Sequence, residues 1–419
     1  MKWICSITHL GGCLETHSRH QHLPLRGTPK ASPGILGPNS FNIAWVLAGI
    51  LGAAVPMTAL ASSPDFARSA EEWATLQDQV LTYEEIPDLI HEYNVTVQNN
   101  QYEYNTFVKD YGRTREDIAD AYLDLANTLE GSMSGDDSGM AMVSDLQLQL
   151  QAKQLREQAD DQLEDSQIYY WTYAQAEDNL AQSAQSKFIS YYRKQLELAS
   201  AREEKGNLEQ EYALASARRQ AGTATDMEVL TAQERIQEQE KTMAELEQSV
   251  EDTRQKLIIM LGWNGSDQPE IMGVPEIDLS EIDAMDLEAD KQKALETNYT
   301  LKTNQKKLEN AKDADNRSKL QNTIQGNERQ ILVSVTNGWQ SLQTAKRNYL
   351  QAQADAATEE RNMELASQKW NAGMITRYEY EKQQTTVNSS RNAVEEAKLD
   401  LLEALETYNW NVKGLAAAS

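Results

Sequence analysis

Cysteine, histidine and basic residues are the scarce components of this 419-residue chain. Its two cysteines, Cys5 and Cys13, stand near the start. That excludes a disulfide-stapled scaffold and a four-cysteine zinc site. The 39 basic residues are outnumbered by 65 acidic ones, for a formal net charge of −26. A nucleic-acid binder needs a basic face to neutralise phosphate, so this class is excluded too. Proline is also thin. Five of the nine prolines precede residue 57, and the rest are Pro64, Pro87, Pro269 and Pro275. Stretches of well over a hundred residues without proline point to long helices.

The one long apolar run, residues 43–57, is 15 residues long. A spanning helix needs about 20. Ala59-Leu60-Ala61 follows as a small-x-small cleavage pattern, with Arg26 and Lys30 upstream. The reading is a leader over residues 1–61 with a signal peptide cleaved after Ala61, an uncleaved anchor being the alternative. Cys5, His9, Cys13 and His17 recur every four residues, with His20 and His22 nearby, and such a set can hold zinc. It lies upstream of the signal segment, so it is discarded with the leader on the plainer reading. Removing residues 1–61 takes away four basic residues and one acidic residue, which leaves −29. The exported part then has no cysteine and one histidine, His91. No cysteine is left to accept a lipid.

What remains is rich in Ala, Glu, Gln, Leu, Lys and Asn, and it repeats. Leu214-Ala215-Ser216 and Ala221-Gly222 return 151 residues later as Leu365-Ala366-Ser367 and Ala372-Gly373. Thr225 and Glu228 return as Thr376 and Glu379. A glycine just past a helical run is the usual C′ residue, because it enters the left-handed region freely. Thr-x-x-Glu behind it is a capping box that opens the next helix. Each copy therefore predicts a tight helix–turn–helix. The helices that follow keep a seven-residue apolar row: Val229, Ile236, Met243, Val250 and Leu257, then Tyr380, Val387, Val394, Leu401 and Tyr408. The companion row, starting at Ala232 and Gln383, is small and polar. This suits a wide antiparallel assembly in which each helix touches two neighbours, an ordinary bundle being the alternative.

The expected fold is all-α: two internal repeats, each a long antiparallel coiled-coil hairpin. Residues 62–263 form the first and 285–419 the second. Residues 264–284 join them, with Gly265, Pro269, Gly273 and Pro275 as breakers. In the first repeat a helix opened by Pro87 is expected to run to about Leu129. A second is expected to run unbroken from about Met142 to Ala221. In the second repeat a break is expected within residues 313–327.

The segments ARRQAGTATDMEVLTAQ (217–233) and QKWNAGMITRYEYEKQQ (368–384) resemble the two glycine turns of the TolC-like outer-membrane efflux protein family. Leu81-Thr82-Tyr83-Glu84-Glu85 with His91-Glu92-Tyr93-Asn94 resembles the opening of the first half. Met285-Asp286-Leu287-Glu288 with Glu296-Thr297-Asn298 resembles the opening of the second, and Leu261-Gly262 the close of the first. The resemblance implies a homotrimeric helical barrel in the cell envelope. It implies docking of the turns to a membrane-fusion adaptor of an ABC-type or other inner-membrane pump. The implied contacts are Arg219, Gly222, Thr223, Ala224 and Thr225 in one turn, and Trp370, Gly373, Met374, Ile375 and Thr376 in the other.

One departure is large. The family inserts two spanning β-strands in each half, and such a pair needs about 22 residues with its turn. The gaps at 130–141 and within 313–327 are too short and too polar. Leu146, Leu148 and Leu150 alternate with glutamine but run on helically, as do residues 331–335. The expectation is a TolC-like protomer without a clear β-barrel, exported but doubtfully outer-membrane. The alternative function is a structural coiled-coil spacer of the envelope with no lumen. An adaptor would show strand- and glycine-rich regions, which are not visible.

No Ser/His/Asp or Cys/His set is available for catalysis, and no cofactor is implied. Asp160 and Asp161 read as a solvated helix face. Gly265-Ser266-Asp267 lacks the spacing and lysine of a phosphate loop. Trp339, Trp370 and Trp410 fall at or beside the seams, where core packing is the ordinary reading.

Overall fold

The computed structural model describes residues 68–134 and 139–418, all within one compact unit. The leader, its cleavage pattern and the Cys/His cluster lie outside the described residues.

The elements are almost all helical. A capped helix α1 (Ala70–Leu76) leads into a two-residue strand β1 (Val80–Leu81). Then come α2 (Ile86–Tyr93), α3 (Val95–Tyr111), α4 (Arg115–Gly131), α5 (Gly139–Asp160), α6 (Ser166–Gln220) and α7 (Asp226–Met260). The joint holds β2 (Glu270–Ile271), parallel to β1, and α8 (Leu279–Ala284). The second half has α9 (Leu287–Thr297), α10 (Tyr299–Asn310), α11 (Ala314–Asn371) and α12 (Arg377–Trp410).

Four long helices make the body, in the order α7, α6, α12, α11. At 1.5 Å per residue, α6 and α11, with 55 and 58 residues, are each roughly 85 Å long. The short helices stack beyond the ends of α7 and α12 and complete the length. Both seven-residue rows of the second hairpin are buried or half-buried along α12, and the corresponding rows of α7 are turned from solvent in the same way. A second face of α12 meets α6 through Asn392 to Ser200 at 3.1 Å and Thr385 to Asn207 at 3.0 Å. Arg193 adds ion pairs to Asp400 and Glu403. Helices that touch two neighbours are what the small, polar companion row favours.

The apolar core lies at the end away from the tight turns. One cluster joins Leu81, Ile86 and Ile90 to Phe188, Leu257 and Trp410. The other joins Ile282 and Leu301 to Ile331, Val335, Leu401 and Tyr408. Trp339 stacks at 5.5 Å on Tyr408, and the Trp410 indole donates to Gln185 at 2.7 Å. Both seam tryptophans are packing residues.

The two halves close alike. Asn94, nearly buried, accepts from the backbone of Thr96 and Val97 and donates to the Met260 carbonyl. Asn298, at 1 % exposure, accepts from Leu301 and donates to the carbonyls of Gly414 and Ala416. Each asparagine caps one helix and holds the end of the last helix of its half. Each end then turns through a glycine at positive φ, Gly262 at 93° and Gly414 at 144°. A Cβ on Gly262 would lie 2.4 Å from Tyr93, so the close approach also requires glycine there.

Three expected helix boundaries are corrected. The first helix does not run from Pro87 to Leu129. It breaks at Asn94 and again at Gly112, whose φ is 81°, before the Thr114 capping box with Asp117. The long run from Met142 to Ala221 breaks at 161–165. There Asp165 caps α6, while buried Arg115 donates to the carbonyls of Asp160 and Gln162. In the second half the break is at 311–313, so it meets the expected window of 313–327 only at its first residue, and the rest of that window is helical.

These breaks leave α4 and α5 as a helical hairpin between α3 and α6. Its seam is a heptad on both strands: Arg115, Ala119, Tyr122, Ala126 and Leu129 face Ala141, Asp145, Leu148, Ala152, Leu155 and Ala159, all buried or half-buried. Leu146, Leu148 and Leu150 are helical, as expected. The described residues contain no helix long and apolar enough to cross a membrane.

Candidate functional site

The paired bonds between α6 and α12 run antiparallel: Gln185 with Trp410, Arg193 with Asp400, Ser200 with Asn392, Asn207 with Thr385. Continuing that register brings residue 221 level with residue 371. The two tight turns therefore lie side by side at one end of the four-helix layer.

Their backbones are congruent. In the first, Gly222 sits at φ 74°, its N–H donates to Arg219 at 2.9 Å, and the Thr223 N–H donates to Arg218 at 2.8 Å. In the second, Gly373 sits at φ 70°, its N–H donates to Trp370 at 2.9 Å, and the Met374 N–H donates to Lys369 at 2.8 Å. This pair of bonds is the Schellman motif, which satisfies the last carbonyls of α6 and α11. A Cβ on either glycine meets nothing within 4 Å, so only the backbone conformation calls for glycine.

The caps differ. Thr376 and Glu379 form the full box: the Glu379 N–H donates to Thr376 Oγ1 at 3.2 Å, and the Thr376 N–H donates to Glu379 Oε2 at 2.7 Å. Those bonds hold the Glu379 carboxyl below its ordinary pKa. In the first turn Thr225 accepts from the Glu228 N–H at 3.2 Å, but the Glu228 side chain does not reach back. The expected second box is thus only half present. Arg219 and Asp226 form an ion pair across this turn instead. Their counterparts in the repeat, Trp370 and Arg377, cannot pair in that way.

The structure brings all ten expected contact residues to this end, and most are exposed. Met374 is 76 % exposed and Trp370 40 %, while Ala224 and Ile375 are half-buried. Trp370 is not a core residue; its ring lies 5.8 Å from that of Tyr380 on the tip surface. The expected set omitted four apolar residues that share the surface. Met227 and Tyr378 are exposed one residue into α7 and α12, and Leu214 and Leu365 on the preceding helices. Each pair stands 151 residues apart. The repeat offset that located the glycines also marks these pairs.

His91, the one histidine of the exported part, is remote from the tips and bonds Glu177 at 2.7 Å, which raises its pKa. Among the described residues no group of His, Cys, Asp and Glu is arranged to hold a metal.

No family model matches the chain, and no curated protein matches it by sequence. Solved structures do. A membrane protein from Pseudomonas aeruginosa aligns at TM-score 0.52 and 12% identity, over 79% of this chain and 90% of that one. The CmeC outer membrane channel of Campylobacter jejuni aligns at TM-score 0.51 and 11% identity, over 88% of this chain and 95% of that one. The fold is TolC-like. At these identities the likeness is one of fold. It extends over nearly the whole of both neighbours, so the TolC-like resemblance drawn from the repeated turns holds at that level.

Proposed function

We propose that this chain is a non-enzymatic conduit protomer of an efflux or secretion system in the cell envelope. Three copies close into a helical barrel, and the paired turns dock to a membrane-fusion adaptor that serves an ABC-type or other inner-membrane pump. The observation that carries this reading is the pair of congruent Schellman turns at one end of a single four-helix layer. The layer has two open edges, α7 and α11, which a ring of copies would pair. In a trimer the turns form a ring of six, with Met227, Met374, Trp370 and Tyr378 as exposed apolar contacts. Such contacts, rimmed by charge, suit a protein partner.

The test is the assembly. Mass measurement and electron microscopy of the exported part should show a trimer with a water-filled lumen. The same preparation should retain an adaptor hairpin, and Gly222→Val with Gly373→Val should release it without loss of helicity. A solid bundle or a monomer that ignores every adaptor hairpin would overturn the conduit and leave the envelope spacer.

A further inference from the structure

The α4–α5 hairpin stands clear of the four-helix layer. Among the described elements α5 packs on α4 and makes no comparable contact elsewhere. The internal seam uses one side of α5, through Asp145, Leu148, Ala152, Leu155 and Ala159. That seam is enough for the hairpin to fold. The side of α5 turned from α4 is then free to be polar, yet in the half remote from the hairpin root it is apolar. Met142, Val143, Leu146 and Leu150 are between 57 and 64 % exposed. Val143, Leu146 and Leu150 keep the i, i+3, i+7 spacing of a second heptad row, and Met142 stands beside it. Single exposed leucines are ordinary, but four apolar side chains on one helix face make a patch.

Spacing, charge and size together say what covers it. The spacing is that by which one helix packs on another. Helix α12 already uses two faces in this way, one against α11 and one against α6. The patch is also nearly free of charge. Residues 139–152 hold one charged side chain, Asp145, which lies in the seam and accepts from the Ser134 N–H at 2.9 Å. Copies of a chain with a net charge of −26 repel one another, and a neutral face is where they can meet. The flanking Gln147, Gln149 and Gln151 carry both donors and acceptors, so each can bond its own image. A membrane surface is a poorer match. Interfacial helices set Lys, Arg and Trp beside their apolar face, and residues 139–152 contain none of these. Size decides the rest. Four such side chains present roughly 400 Å², about half of what each partner buries in a free-standing interface. The patch therefore suits chains that are already held together elsewhere.

We propose that the α5 helices of the three copies pack row on row, so that the three hairpins close into one helical collar at the end of the barrel away from the glycine turns. This rests on the reading that copies close into a ring through the α7 and α11 edges. The collar holds that ring shut where α4 and α5 leave the layer, with Val143, Leu146 and Leu150 at its centre.

The test is cross-linking in the full chain carrying Cys5→Ser and Cys13→Ser, where an introduced cysteine is the only thiol. With a short bis-maleimide, Leu146→Cys and Leu150→Cys should each join copies in pairs, at a yield unchanged by about tenfold dilution. Gln151→Cys, on the next face of the helix, should give about fivefold less. Leu146→Lys with Leu150→Lys should raise the concentration at which the ring dissociates about tenfold or more, because the row is buried only between copies. Helicity should not change, since both side chains are exposed in the single chain. Equal cross-linking at 146 and 151, a yield that falls with dilution, or a ring indifferent to the double lysine variant would overturn the collar. Binding to phosphatidylcholine–phosphatidylglycerol vesicles that the double variant abolishes would assign the row to lipid and overturn it too. In each of these cases a ring that still retains an adaptor hairpin leaves the conduit standing. Cross-linking as expected in a ring that retains no adaptor hairpin would support the collar and sink the docking, and a monomer would sink both.

Discussion

The two halves agree at the tips and differ at the far end. At the tips, two glycines 151 residues apart sit within a few degrees of the same φ and make the same pair of bonds. At the other end of α6 and α11, the first half carries the α4–α5 hairpin, with helices of 17 and 22 residues. The second half passes from α10 to α11 through residues 311–313 alone. The shared parts are those a closed layer needs: a cap that holds the start of one helix to the end of another, and a turn that reverses the chain. The hairpin needs neither the layer nor a second copy of itself, because its heptad seam is internal. A duplicated fold has therefore kept its connections and varied an appendage. That appendage stands where the resemblance implies membrane strands.

The first prediction tests the shared caps. Asn298 is almost wholly buried and makes three bonds, while Asn94 is slightly more open. Asn298→Ala should cost about 3 kcal/mol in urea unfolding and Asn94→Ala about 2, since each strands buried carbonyls and removes an N-cap. A larger loss at Asn94 would reverse the ranking of the two halves.

The hairpin gives the next contrast. Arg115 is 4 % exposed and ties α4 to the carbonyls of Asp160 and Gln162. Arg115→Ala should free the hairpin root at a local cost of about 2 kcal/mol. Hydrogen exchange should quicken over 112–165 while α7 and α12 stay protected. Equal loss of protection in α12 would show that the hairpin is part of the layer and not an appendage.

These two ends also explain which features the sequence shows. Gly222, Thr225 and Glu228 act on each other within one turn of chain, so their spacing is readable, and the repeat at Gly373 confirms it. The seams at Val229 and Tyr380 are readable because a heptad is local too. The break at 161–165 has one local mark, the N-cap Asp165, which does not stand out in so acidic a stretch, and the residue that holds its open carbonyls, Arg115, lies far away in sequence. The break at Asn94 falls in a stretch legible as an opening, and its cap on Thr96 and Val97 is local, but its tie to the Met260 carbonyl depends on distant sequence. Even a local rule fails when a competitor is present, as Arg219 with Asp226 shows beside the incomplete box at Thr225.

Smaller effects compare the tips themselves. Gly222→Ala and Gly373→Ala should each cost about 1 kcal/mol, because a side chain in the left-handed region carries that penalty and neither Cβ meets a neighbour. Thermal melts should give the two variants the same shift. A difference above about 0.5 kcal/mol would mean that the surroundings of the turns, and not only their backbones, have diverged.

The smallest effect separates the two caps by pH. Glu379 is held below the ordinary carboxyl pKa by its bonds to Thr376, and a group lowered in the folded state stabilises it above the unfolded pKa. Its contribution is therefore complete at neutral pH and fades as pH falls through the acid range to the folded value. Thr376→Ala removes the partner and should lose about 1 kcal/mol at neutral pH but less in acid. In the first turn there is no carboxylate return bond to lose, so Thr225→Ala should cost nearer 0.5 kcal/mol, alike at neutral and acid pH. Matching pH profiles for the two threonine variants would show that Glu228 closes its box in solution and that the turns are more alike than their caps.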